Sequence, residues 1–150
     1  MRLEQEIQQK TPFRSPHHRA AVNIIFTHNW LVNQQKAFFK PYGITLQQYN
    51  VLRILRGQSP KAITTSAIRE RMLDRMSDVS RIVDRLVKKE LVTRSTCKSD
   101  KRLVDVFISE KGLELLLEID AKDAIDHSFS ALSEDELHVL NDLLDRLRDS

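Results

Sequence analysis

The most regular pattern in the chain lies between residues 77 and 89. Val79, Ile82, Val83, Leu86 and Val87 recur at i, i+3, i+4, i+7 and i+8, the spacing of one apolar helix face. The opposite face carries Ser77, Asp78, Ser80, Arg81, Asp84, Arg85, Lys88 and Lys89, with Ser77 as the expected N-cap. The period then changes. Leu91–Ser95 and Arg102–Ile108 predict two strands around a polar turn, Thr96–Lys101, and Val104, Val106 and Ile108 share one side by alternation. The two strands make a β-hairpin with a basic tip.

Ahead of this unit, Ser15 followed by Pro16 marks a helix start. That helix should run to about Phe39 and stop before Pro41. Val22, Ile25, Phe26, Trp30 and Val32, widened by Ile24 and Leu31, exceed what one buried face needs, which points to contact with a second chain. Thr45 and Gln48 form a capping box for a helix that buries Tyr49, Leu52 and Leu55 and stops at Gly57. Ile63 reads as a strand of one or two residues. Thr64 or Thr65 caps a short helix through Met72, with Ala67, Ile68 and Met72 inward. After the hairpin, Ser109 caps a long helix to about Ser128 that buries Leu113, Leu116, Leu117 and Ile125. Ser133 and Glu136 box the last helix, whose stripe is Leu137, Leu140, Leu144 and Leu147, with Val139 and Leu143 beside it. The fold class is mainly α with a small β-hairpin (α+β), in one domain over residues 1–150 without repeat or linker.

Composition narrows the chemistry. Of 150 residues three are glycine, Gly43, Gly57 and Gly112, too far apart for a phosphate loop or a dinucleotide fingerprint. A single cysteine, Cys97, excludes an internal disulfide and a multi-cysteine zinc site. No apolar run is long enough for a membrane span, and the first ten residues lack the apolar core of a signal peptide, so a soluble cytoplasmic protein without membrane contact is expected. His17, His18, His28, His127 and His138 lack metal-ligand spacing and read as helix-surface residues; neither metal nor cofactor is expected. No serine stands in a nucleophile elbow and the carboxylates fall on outer helix faces, so no catalytic constellation is expected. Charge is polarised: residues 1–60 carry a net +6, 61–110 a net +4 and 111–150 a net −7. A basic body suggests an anionic partner.

Two short helices joined by a tight turn and followed at once by a hairpin make a winged helix-turn-helix. The second helix of such a unit fits the major groove of double-stranded DNA. Ser77, Ser80, Arg81 and Arg85 would face bases and phosphates. Arg81 and Arg85 are like charges at i,i+4, costing roughly 0.2–0.5 kcal/mol in an isolated helix; phosphates make the pair favourable. Asp84 is expected to pair with Lys88. Lys98, Asp100, Lys101 and Arg102 form a thin basic tip suited to the minor groove, where Asp100 would brace the turn and fix Arg102 or Arg94.

Ser77–Arg94 (SDVSRIVDRLVKKELVTR) followed by Asp100–Gly112 (DKRLVDVFISEKG) resembles the recognition helix and wing of the MarR family of transcriptional regulators, and Phe38–Leu55 (FFKPYGITLQQYNVLRIL) resembles that family's junction between its first two helices. The similarity covers about residues 16–148. It implies a homodimer with interlocked terminal helices: a DNA-binding lobe over about 45–108, and dimerisation helices over about 1–40 and 109–150. It implies a repressor on a pseudo-palindromic operator, with Arg102 reaching the minor groove and Asp100 as its brace. It also implies a small aromatic or phenolic ligand, for which Phe26, His28, Trp30 and Tyr49 are candidates; the alternative for Phe26, Trp30 and Tyr49 is packing. Glu90 departs from the family pattern by standing where a helix-ending glycine is usual. Cys97 is expected to be an exposed, inert thiol; the redox alternative is that Arg94, Lys98 and Lys101 lower its pKa and its oxidation weakens DNA binding. A non-specific architectural or protein-interaction winged helix is the competing function.

Overall fold

The computed structural model describes residues 1–122 and 124–149. A short helix α1 (Leu3–Glu6) precedes the long α2 (Pro16–Phe39), which Ser15 caps by accepting the His18 N–H at 3.2 Å. A 3-10 turn over Lys40–Tyr42 ends on Gly43 at φ 68°, a left-handed conformation that glycine adopts without steric cost. Helix α3 (Leu46–Gln58) starts with the reciprocal capping box of Thr45 and Gln48. It passes through Gly57 and ends at Ser59, so Gly57 is not the stop; Pro60 is, because a helix cannot continue into it.

Strand β1 (Ile63–Thr64), helix α4 (Thr65–Arg71), helix α5 (Val79–Lys88), strand β2 (Val92–Thr96) and strand β3 (Val104–Ile108) follow. The antiparallel sheet has the order β1-β3-β2, with Ile63 opposite Val106 and Arg94 opposite Val106 on the other side. Both strands of the hairpin start one or two residues later than the alternation predicted.

The core sits where α3, α4, α5 and the sheet meet. Val51, Leu52, Leu55, Ile68, Val79, Val83, Leu86, Val106 and Leu116 are fully buried. Burying a side chain of this kind contributes about 1.5–3 kcal/mol, so α5 is held by three such anchors along one face.

Helix α6 (Glu110–Asp120) is capped by Ser109, whose hydroxyl accepts the Gly112 N–H at 3.0 Å and donates to the Glu90 carbonyl at 2.7 Å. A Cβ on Gly112 would lie 2.4 Å from the Leu91 carbonyl oxygen. Only glycine lets α6 approach the end of the α5–β2 connection this closely, which explains the Ser-x-x-Gly spacing in physical terms. Helices α7 (Ala124–Phe129) and α8 (Glu134–Arg148) complete the chain. The expected single helix from 110 to 128 is broken after Asp120: Ala121 and Lys122 turn back onto Leu117 and Ile119, where the sequence has no large apolar residue to carry the stripe forward. The buried face of α6 runs through Gly112, Leu116 and Ile119, which leaves Leu117 exposed, and Ile125, beyond the break, is exposed as well.

Candidate nucleic-acid interface

The α5 N-terminus is set by residues 73 to 78. The Leu73 N–H donates to Asn50 Oδ1 at 3.0 Å, the Met76 N–H to Asp74 Oδ1 at 2.9 Å, and the Ser77 N–H to the Asp74 carbonyl at 3.2 Å. Asp78, not Ser77, is the N-cap; its carboxylate accepts the Arg81 N–H at 3.2 Å. The Ser77 hydroxyl is buried and has no partner among the described residues, so it does not face outward as expected. Cap preferences of Ser and Asp are nearly equal, and neighbouring positions could not be told apart by type.

Ser80, Arg81 and Arg85 are exposed on the outer face of α5. Asp84, between them, pairs with Arg94 of β2 and not with Lys88. That pair fastens the hairpin to α5 and engages Asp84, while the other carboxylate of this face, Asp78, is taken up by the N-cap. Among the described residues, Arg81, Arg85 and Lys88 have no ion-pair partner. Lys89 turns the other way: its ammonium donates to the Gly43 carbonyl and, at 3.0 Å, to Gln48 Oε1, tying the end of α5 to the start of α3. Lys89 therefore leaves the outer polar face assigned to it.

The helix ends at Lys89, and Glu90 takes φ 61°. The Glu90 N–H bonds the Val87 carbonyl at 2.9 Å and the Leu91 N–H the Leu86 carbonyl at 3.1 Å, a Schellman motif closed by the buried pair Leu86 and Leu91. The usual glycine conformation is thus kept with a glutamate in it, at a cost on the order of 1 kcal/mol.

At the hairpin tip, the Asp100 carboxylate accepts from the Arg102 backbone N–H at 3.0 Å and from Arg102 Nε and Nη2 at 3.1 and 3.2 Å. Arg102 is its partner, and Arg94 pairs with Asp84 instead. These donors hold the Asp100 carboxyl below the usual range, the Arg102 side chain first. The Arg102 side chain is 90% exposed while so oriented, and Lys98 and Lys101 flank it in the open. Cys97 differs from expectation: it is buried, its Sγ 3.1 Å from Ser99 Oγ. Its thiol pKa is lowered by the Ser99 hydroxyl and by the Asp100 and Ser99 backbone, not by the neighbouring cations.

Phe26, His28, Trp30 and Tyr49 do not gather around one cavity. Tyr49 is a core residue, its ring 4.4 Å from Phe39 and its hydroxyl accepting from Arg53 at 3.0 Å. Trp30 lines a separate groove with Phe38 and Ile125, and half-buried Phe26 lines neither. His28 alone borders the groove between α2 and the central elements, about 900 Å³, with Val32, Lys36, Lys40, Ile44 and Leu73. The two lysines stand four positions apart at the end of α2, but their place beside the groove depends on how α2 packs against the central elements, which residue spacing does not give.

Residues 44–104 match the model described as MarR family. The chain is 31% identical over 110 residues to the HTH-type transcriptional regulator MhqR of Bacillus subtilis, covering 71% of this chain and 73% of that one. A mutant MarR of E. coli complexed with operator DNA superposes with TM-score 0.75 at 24% identity, over 98% of this chain and 99% of that one. The organohalide-sensing regulator RdhR-CbdbA1625, in its 2,4-dichlorophenol-bound form, superposes with TM-score 0.79 at 20% identity, over 94% and 86%.

Proposed function

Because the chain belongs to the MarR family of transcriptional regulators, we propose that it is a homodimeric, sequence-specific repressor released from a pseudo-palindromic operator by a small aromatic or phenolic ligand. As a DNA-binding regulator of that family it is not an enzyme. None of its helices is long and apolar enough to cross a membrane among the described residues, in keeping with action in the cytoplasm. Residues 45–108 are the DNA-binding lobe, and residues 1–40 and 109–150 carry the dimerisation helices. Helix α5 enters the major groove with Ser80, Arg81 and Arg85, while Lys98, Lys101 and Arg102, the last held by Asp100, approach the minor groove.

The observation that carries this reading is the pairing on α5. With Asp84 engaged by Arg94, the outer face presents guanidinium groups that lack ion-pair partners among the described residues, and the same ion pair fixes the hairpin beside them. A helix with unpaired cations beside a braced Arg102 suits two adjacent grooves of a duplex. Two-fold symmetry of the dimer would place half-site centres about 34–36 Å apart. For the ligand, the groove bordered by His28, Lys36 and Lys40 offers cationic anchors over an apolar floor, and its position against α3 would couple occupancy to the lobe.

The test is fluorescence anisotropy on a labelled duplex from upstream of the gene encoding this chain, at two salt concentrations, with scrambled duplex as competitor. Binding that survives the competitor, weakens about tenfold in Arg102→Ala, and is reversed by phenols is the expected result. Binding lost equally to scrambled DNA and to salt would make the protein a non-specific architectural binder and overturn the reading.

A further inference from the structure

Met76 and Leu73 are among the most exposed large apolar side chains of the protein, at 91% and 86%. They lie on the turn between α4 and α5, and the same turn aims them differently. Leu73 borders the groove of His28 and Lys36. Met76 lines a second groove, with Gln47 of α3 and with Asp78, Arg81 and Arg85 of α5. Exposing a large apolar side chain forgoes the stabilisation that burial would bring. A mobile turn could let Met76 fold back onto the core, but this turn is anchored. Asp74 accepts the Met76 and Ser77 N–H groups through its side chain and carbonyl, and Asn50 accepts that of Leu73. Met76 is thus held out at the N-terminal end of the cationic face of α5, two residues ahead of the cap.

We propose that Met76 is a specificity residue that reads the C5-methyl group of a thymine in the major groove. The proposal rests on the DNA-binding reading of α5. In the major groove the thymine methyl is the apolar feature that distinguishes one base pair from another, and it is read by apolar contact. The N-terminal residues of a recognition helix stand closest to base edges, and Met76 shares its groove with the two arginines assigned to that helix's outer face. An unbranched thioether side chain adapts its shape to such a contact. Gln47, Arg81 and Arg85 serve hydrogen bonding or phosphates, Asp78 caps the helix, and Ile82, which also lines this groove, is half-buried against the core, so the methyl contact falls to the exposed Met76.

The experiment compares the wild-type chain with Met76→Ala on the half-site enriched from a random duplex library by the wild-type protein. Each thymine of the half-site is replaced in turn by deoxyuridine, which removes the methyl and nothing else. Circular dichroism checks that Met76→Ala retains the fold, as its exposure predicts. The expected result is one thymine per half-site whose replacement weakens wild-type binding about fourfold, the loss of one buried methyl contact, and leaves Met76→Ala unchanged. An enriched half-site in which every replacement affects the two proteins equally, or which contains no thymine, would overturn the role of Met76 while leaving the regulator reading standing. Failure to enrich any sequence would overturn both.

Discussion

The central lobe and the helical arms draw on the same apolar residue types and finish with opposite surfaces. In the lobe, α3, α4, α5 and the sheet close over Val51, Leu52, Leu55, Ile68, Val79, Val83, Leu86 and Val106, each at 1% exposure or less. In the arms, α2 buries Phe39 alone across its length and α8 fully buries nothing, while Ile25, Trp30, Leu117, Val139, Leu143 and Leu147 face outward. Apolar patterning at helical spacing therefore has two meanings in one chain. Where three or more elements converge it specifies a core; on α2 and α8 it leaves an exposed apolar surface, which in the proposed homodimer a second copy would cover. The lobe is the part that can hold its shape within one protomer, and the arms are the part whose shape a second copy would complete.

That contrast breaks first at Leu86. Leu86→Ala removes a fully buried anchor of α5 and should lower stability by about 2–5 kcal/mol, measured as a shift in the urea midpoint. The paired substitution Val139→Glu with Leu143→Glu should instead leave the lobe's secondary structure intact by circular dichroism and abolish dimer formation in sedimentation. If both variants unfold the protein alike, the two regions are not separable in this way.

Within the lobe, Glu90→Gly sharpens the account of its strained corner. Glutamate in a left-handed conformation is unfavourable where glycine is not, so the substitution should raise stability by up to about 1 kcal/mol, read from the denaturant midpoint at unchanged slope. The smallest effect concerns the hairpin tip. The Arg102 donors depress the folded pKa of Asp100. Such a carboxyl contributes order above its unfolded value, ordinarily about 3.9, and loses it as pH falls through the lower folded value. The Arg102 Nε–H signal in an NMR titration should hold its position at neutral and mildly acidic pH and move only below the ordinary carboxylate range. In Asp100→Asn it should show no such step.

Where order was local, it could be read from residue type and spacing. The Ser15, Thr45, Ser109 and Ser133 starts, the apolar face of α5, the alternation of β3 and the Asp100–Arg102 brace all depend on residues within a few positions of one another. What escaped depended on distant partners or on near-equal alternatives. Asp84 had Lys88 one turn away and took Arg94 across the helix–hairpin junction. Ser77 and Asp78 compete for one cap. Cys97 stands in a polar turn by composition, yet the turn folds over it. Of the four ligand candidates, His28 and Trp30 stand two positions apart on α2 and so point to different sides of it, while Tyr49 belongs to α3, and its separation from His28 depends on how the two helices pack. The family resemblance, by contrast, rested on a whole register of helix, strand and turn, and membership in the family follows from the comparisons.

Sedimentation velocity of the wild-type chain and of the Val139→Glu, Leu143→Glu variant, each alone and with the enriched duplex, tests the division between lobe and arms most directly. The expected result is a wild-type dimer that binds as two chains per duplex, and a folded monomeric variant that has lost tight operator binding. A wild-type chain that is monomeric at micromolar concentration and binds the same duplex as a single copy would contradict it.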